Sequence, residues 1–222
     1  AAFEGHGFTK AVGNFDNAYI TWGIIGFTLK HGEIPKIIHT TNQRHPGVVS
    51  GAFGPLEGEL MAGIEGSAAE QEAFGNSISV PPRRYDLLPD WAAAFAKLGD
   101  HEGVRAIQIE RAGKYFDIAR RDADNLGLES EIGLSLTFDI AVQNGGVSSD
   151  ERSEIERKTA AAGASSELER RVIVANVVAE NSIDRWVENV RARKRTIANG
   201  AGEVHGARYD LADWGLGEFP RG

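Results

Sequence analysis

The chain has 222 residues, 41% hydrophobic and 25% charged, an ordinary globular mixture that excludes a disordered or collagen-like protein. Lys and Arg number 24 against 32 Asp and Glu, a net charge of −8, which argues against a nucleic-acid partner. With no cysteine, disulfides, Cys-ligated zinc, iron–sulfur clusters and thiol catalysis are all excluded.

The N-terminus, AAFEGHGF, has neither the basic nor the apolar region of a signal peptide, and its abrupt start reads as the C-terminal part of a longer chain. No apolar run approaches the roughly 20 residues of a membrane span, so no membrane partner is expected. Residues 19–29, YITWGIIGFTL, predict a strand hairpin broken at its glycines. Glu33 and Pro35 open a helix over 34–44, with Glu33 facing the positive end of the helix dipole, and His45-Pro46-Gly47 stops it. Residues 50–80 read as short helices and loops, and Pro81-Pro82-Arg83-Arg84 as a linker. Asp90 is expected to cap a short helix over 91–98 that Gly99 ends.

The second half is helical by pattern. Val104, Ile107, Ala112, Tyr115, Phe116, Ala119 and Ala123 mark an amphipathic helix over 104–126. The segment 130–143 is apolar on nearly every face and predicts a central buried helix, ended by Asn144-Gly145-Gly146. Ser148 with Glu151, and Ser166 with Glu169, form capping boxes for helices running to 162 and 181. A last long helix is expected over 182–198, ended by Gly200. The organisation is mainly α, with one small sheet near the N-terminus.

Little in this pattern is chemically loaded. The six histidines, at 6, 31, 39, 45, 101 and 205, show no metal-ligand spacing, and neither a phosphate loop nor a nucleophile elbow is present. The acidic residues Glu65, Glu70 and Glu72 read as a solvated face. Two carboxylates differ. Glu4 lies between Phe3 and Gly5, and Asp16 lies in a polar turn directly before the strand. A carboxyl among aromatic groups keeps its proton more readily than one in a polar loop, and glycoside hydrolysis needs one acid and one base. Spacing alone favours the plainer reading, a turn residue at Asp16 and a terminal charge at Glu4. Asp139 sits in the most apolar helix and requires a cationic partner, with Arg193 and Arg208 as candidates for a buried structural ion network.

Asp16, then Thr21-Trp22-Gly23-Ile24-Ile25-Gly26-Phe27, then Gly32-Glu33 resemble the active-site strand of family 46 chitosanases, members of the lysozyme-like superfamily. Gln108-Ile109-Glu110-Arg111, Tyr115-Phe116-Asp117 and Phe138-Asp139-Ile140-Ala141-Val142 resemble that family's long and central helices. Arg193 and Arg208 resemble its arginine pair on the central-helix Asp. The stretch between Glu4 and Asp16 is shorter than in those enzymes. Gly200 and Val204 stand where chitosanases carry carboxylates after the first arginine, and Glu203 would substitute only with a shift. Phe3-Glu4, Gly13-Asn14-Phe15-Asp16 and Phe138 to Gly145 look more like the peptidoglycan-cleaving branch, found in phage-type lysins and secretion effectors.

The resemblance implies one lysozyme-like catalytic domain over 1–222: a mainly α, α+β fold of two helical lobes with a small antiparallel sheet lining a cleft. It implies an inverting hydrolase of β-1,4 bonds in an amino-sugar polymer. Glu4 would be the acid, Asp16 the base, Thr21 a holder of the attacking water, and Glu33 a substrate-binding carboxylate. No metal or cofactor is implied. The expected partners are peptidoglycan or chitosan, with an immunity protein or a fused delivery domain, at a secreted, periplasmic or cell-wall location. The charge of −8 suits polycationic chitosan, while the missing carboxylates suit peptidoglycan, which is preferred. A catalytically silent glycan- or partner-binding domain is the alternative of another class.

Overall fold

In the computed structural model, which describes residues 7–221, the chain is mainly helical with a small antiparallel sheet near its N-terminal end, as the patterning predicts, and a second, two-stranded one that it does not. It forms two compact units, Ala1–Ala112 and Gly113–Gly222. The division falls inside a helix and not at Pro81-Pro82-Arg83-Arg84, which closes a turn within the first unit between the bridged residues Ser79 and Leu87. The linker expectation is thus corrected: those prolines stiffen a loop whose two ends pair with each other.

The first unit opens with a three-stranded antiparallel sheet of β1 (Ala11–Val12), β2 (Thr21–Trp22) and β3 (Phe27–Thr28), in that order. Trp22 faces Ala11 and Phe27, and Thr21 faces Val12 and Thr28. The turn between β2 and β3 holds Gly23 and Gly26 at φ of 86° and 72°, a left-handed backbone that glycine adopts without a Cβ penalty. Then come α1 (Glu33–Arg44), α2 (Val48–Phe53), α3 (Glu57–Glu65), α4 (Ala68–Ser77) and α5 (Pro89–Asp100). Burial of an aromatic chain joins sheet to helices: Trp22 lies 5.5 Å from Phe95, Phe95 5.1 Å from Phe53, and Phe53 6.0 Å from Trp91. Such pairs add about 0.5–1.5 kcal/mol each beyond the area they bury.

Helix α5 starts earlier and ends later than expected. Pro89 occupies its first turn, where a missing N–H costs nothing, so Asp90 lies inside the helix and Leu88 takes the cap position. Gly99 is buried within the helix, and the carbonyl of Phe8 stands where its Cβ would be. Its glycine therefore serves close packing and not helix termination.

Helix α6 (Glu102–Asn125) runs through the boundary into the second unit, which contains α7 (Glu131–Asn144), α8 (Ser149–Ala162), α9 (Glu167–Glu180) and α10 (Val187–Ala198). Ser130, Ser148 and Ser166 cap α7, α8 and α9 through their side chains, and the last two form the expected capping boxes. From 131 to 142 no residue of α7 is exposed, which confirms a central buried helix. Two features depart from expectation. A 3-10 turn, Asp184–Trp186, precedes α10 in place of one long helix from 182. A hairpin of β4 (Ala201–Val204) and β5 (Ala207–Asp210) follows it, turning at His205 and Gly206 with φ of 53° and 76°.

Asp139 is 8% exposed on α7. Its Oδ1 accepts from Arg193 Nη2 at 2.6 Å and Nε at 3.0 Å, and its Oδ2 from Lys194 Nζ at 2.5 Å. Lys194 also donates to Gln143 Oε1 at 2.6 Å. Arg208 is not the second cation: it is exposed on β5 opposite Glu203, and Lys194, one residue beyond Arg193 on α10, takes that place. Burial alone would raise the Asp139 pKa, but the Lys194 and Arg193 charges and their hydrogen bonds outweigh it and hold it below the usual carboxylate range.

A group with a depressed folded pKa contributes its stability above its unfolded pKa of about 4 and loses it as pH falls through the folded value. Asp139→Asn, which removes the carboxylate charge from buried Lys194 and half-buried Arg193, is expected to cost about 3–5 kcal/mol at pH 7 in urea unfolding. The gap between mutant and wild type should be flat from pH 7 to about 5 and narrow below about pH 4.

Candidate active site

Two loops of the first unit are stitched back to back. Gly13 N–H donates to the Tyr85 carbonyl at 2.8 Å, and Asn14 N–H to Ser79 Oγ at 3.0 Å. Ser79 Oγ in turn donates to the Gly75 carbonyl at 2.5 Å, and Asn14 Nδ2 to Asn76 Oδ1 at 2.9 Å. A Cβ on Gly13 would collide with Ser79 Oγ and the Arg84 carbonyl, so glycine lets the two backbones touch.

From this anchor the chain runs through Asp16 to the strand. Asn17 and Tyr19 both have positive φ, 66° and 69°, a conformation that costs a non-glycine residue roughly 1–2 kcal/mol. Asn14 sustains it: its Oδ1 accepts from Tyr19 N–H at 2.9 Å, and Tyr19 itself is buried. Strain of this kind, held by its surroundings, concentrates at functional sites.

Asp16 is exposed, with Oδ1 accepting from Ala18 N–H at 3.1 Å, and its Oδ2 takes no protein hydrogen bond among the described residues. Thr21 lies on β2, and its Oγ1 is buried without a hydrogen-bond partner among the described residues. Glu4 lies outside the described residues. Gln108, fully buried on α6, fixes the turn that follows Thr21: its Oε1 accepts from Ile24 N–H and its Nε2 donates to the Phe8 carbonyl, each at 3.1 Å.

Glu33 is 3% exposed, not open at a cleft mouth. Its Oε2 accepts from Arg111 Nη2 at 2.8 Å and Nε at 3.1 Å, and its Oε1 from Lys36 Nζ at 3.2 Å. The carboxylate anchors the first turn of α1 to α6. Asp139, Arg193 and Arg208 lie in the second unit, the first two in the buried cluster described above.

Sequence reasoning missed Asn14, Ser79 and Arg111 as organisers of this region. Gln108 carried a readable signal, a polar side chain in the buried register of Val104 and Ile107. Among the described residues no group of three or more His, Asp or Glu is arranged to hold a metal ion. No family model, no curated protein and no solved structure matches the chain.

Because Glu33 is engaged by Arg111 and Lys36, Glu33→Gln should act on stability. It is expected to cost about 1–3 kcal/mol in thermal or urea unfolding, since Arg111 keeps partial solvent access.

Proposed function

We propose that this chain is an inverting glycoside hydrolase of an amino-sugar polymer, peptidoglycan in preference to chitosan. The observation that carries the reading is the strained 13–22 segment, which bears an exposed Asp16 with an oxygen that takes no hydrogen bond and, on β2, a buried Thr21 hydroxyl without a hydrogen-bond partner, both among the described residues. A base needs a carboxylate oxygen that the protein has not already used, and a held water needs a hydroxyl with hydrogen-bonding capacity to spare.

In this mechanism Glu4 donates its proton to the glycosidic oxygen as the C1–O bond breaks. Asp16 takes a proton from the water that attacks C1 on the opposite face, and the Thr21 hydroxyl orients that water. The water oxygen becomes the new anomeric hydroxyl and configuration inverts. Inverting pairs stand roughly 6.5–9.5 Å apart to admit the water. General acid and general base catalysis each contribute about 10²–10⁴-fold.

Burial of Glu33 against Arg111 supports the choice of peptidoglycan, because it withdraws one carboxylate from those able to meet a sugar ammonium. The net charge of −8 favours chitosan as the second reading. Substrate contacts decide specificity more directly than overall charge. Among the described residues no helix is long and apolar enough to cross a membrane. Action on a wall polymer would place the protein outside the cytoplasm, by secretion or through a fused delivery domain.

Wild-type protein is expected to release reducing ends from peptidoglycan faster than from chitosan. Asp16→Asn and Glu4→Gln should each lower turnover at least about a hundredfold, and exposed Asp16 should leave the melting temperature unchanged. Thr21→Val should lower it about tenfold, and Thr21→Ser should retain most of it. Full turnover in Asp16→Asn would remove Asp16 from the mechanism, and binding without turnover in the wild type would identify a silent glycan-binding domain.

A further inference from the structure

Phe15 and Tyr85 are 49% and 43% exposed, whereas Trp22, Phe27, Phe53 and Phe95 of the same unit are at most 2% exposed. Leaving a large apolar side chain in water forfeits about 1.5–3 kcal/mol of burial. The two rings come from residues 70 positions apart, 85 − 15 = 70, yet their centroids are 5.0 Å apart at an interplanar angle of 55°. Lys10 Nζ stands 5.4 Å from the Tyr85 ring centre, on that ring's face.

The two loops that carry the rings are tied together by hydrogen bonds. Gly13 and Asn14 bind the loop bearing Phe15 to the Tyr85 carbonyl and to Ser79. The second loop is closed on itself by Val80 N–H to the Asp86 carbonyl and Arg84 N–H to the Val80 carbonyl, both 2.8 Å, with Pro81 and Pro82 between them. Holding exposed rings in a fixed backbone lowers the entropy lost when a ligand stacks on them.

Phe15, Tyr85 and the two prolines line a concavity of about 560 Å³ whose rim carries Arg83 and Asp86, and every lining residue is exposed. That volume lies in the range of ligand-binding sites. An apolar floor lined also by a donor, Arg83, and an acceptor, Asp86, suits a molecule with a flat C–H face and polar substituents around its perimeter. A β-linked pyranose has that form: its axial C–H bonds stack on an aromatic face, and its equatorial hydroxyls or acetamido group project outward. An apolar peptide would leave Arg83 and Asp86 without partners.

We propose that Phe15 and Tyr85 form a sugar-stacking subsite for an N-acetylated β-1,4-linked glycan chain, with Arg83 and Asp86 contacting the ring substituents. The assignment rests on the glycosidase reading, since Phe15 directly precedes Asp16 and a sugar stacked there would continue into the bond that Asp16 serves.

The test uses the full chain carrying Asp16→Asn, so that ligand is not consumed, titrated with the N-acetylglucosamine tetramer by calorimetry or NMR. Phe15→Ala and Tyr85→Ala should each raise Kd about fivefold or more, with the melting temperature lowered by no more than about a few degrees, since both rings are half-exposed and lose mainly their mutual contact. Tyr85→Phe, which keeps the ring, should bind within about twofold of the parent. Unchanged binding in both alanine variants, or no tetramer binding by the parent, overturns the subsite. Ring-dependent binding by a chain whose wild type hydrolyses no glycan would leave the subsite standing and overturn the hydrolase reading alone.

Discussion

A carboxylate removed from water inside a helical core needs a cation or hydrogen-bond donors held against it, and in both units of this protein a cation meets that need for a carboxylate that ties helices together. In the first, Glu33 at the start of α1 is held by Arg111 from α6. In the second, Asp139 at the centre of α7 is held by Arg193 and Lys194 from α10. Each pair joins segments more than 50 residues apart and fixes the register of two helices that apolar contact alone would let slide. Desolvation makes such pairs weak as net stabilisers but costly to break, which suits a role in specifying one packing. Asp122, fully buried on α6, follows the same rule: its Oδ2 accepts from Val147 N–H at 2.8 Å and its Oδ1 lies 3.7 Å from Arg152.

With the frame of the first unit set, the strained segment from Gly13 to Trp22 becomes affordable. Asn14 makes three hydrogen bonds that over-determine the turn, and Gln108 secures the strand's far end from α6. On and beside this segment lie features that look unfinished as pure structure: an exposed acid, a buried hydroxyl without a partner among the described residues, and two half-exposed aromatic rings. On the proposed reading, a glycan's hydroxyls and a bound water would complete the polar groups, and its C–H face would cover the rings. The hydrolase and subsite proposals draw on this common source.

Local signals were legible in the sequence where the physics is local. The capping boxes at Ser148 and Ser166 depend on a spacing of three residues, and the buried α7 depends on composition within fourteen residues. Gly99 misled because a glycine can end a helix or admit a neighbouring backbone, and only the approach of Phe8 tells which. The β4–β5 hairpin hides in a polar stretch whose sole strong mark is Gly206 after His205. Lys194 in place of Arg208, and Arg111 on Glu33, follow from which turn of a helix faces inward. One sequence leaves that open wherever polar residues occupy the buried face. The Phe15–Tyr85 pair was illegible for a similar reason: Pro81-Pro82 reads as a break in the chain, whereas it closes a turn onto an earlier loop.

Inversion at the anomeric carbon is the central chemical claim, and proton NMR of the first products reads it directly. Incubated with a soluble β-1,4-linked N-acetylglucosamine oligomer or a peptidoglycan fragment, the wild-type protein should release new reducing ends that appear first as the α-anomer and then relax by mutarotation. Initial appearance of the β-anomer would replace a water-activating Asp16 with a double displacement through a covalent intermediate, and release of no reducing ends from either substrate would contradict the assignment altogether.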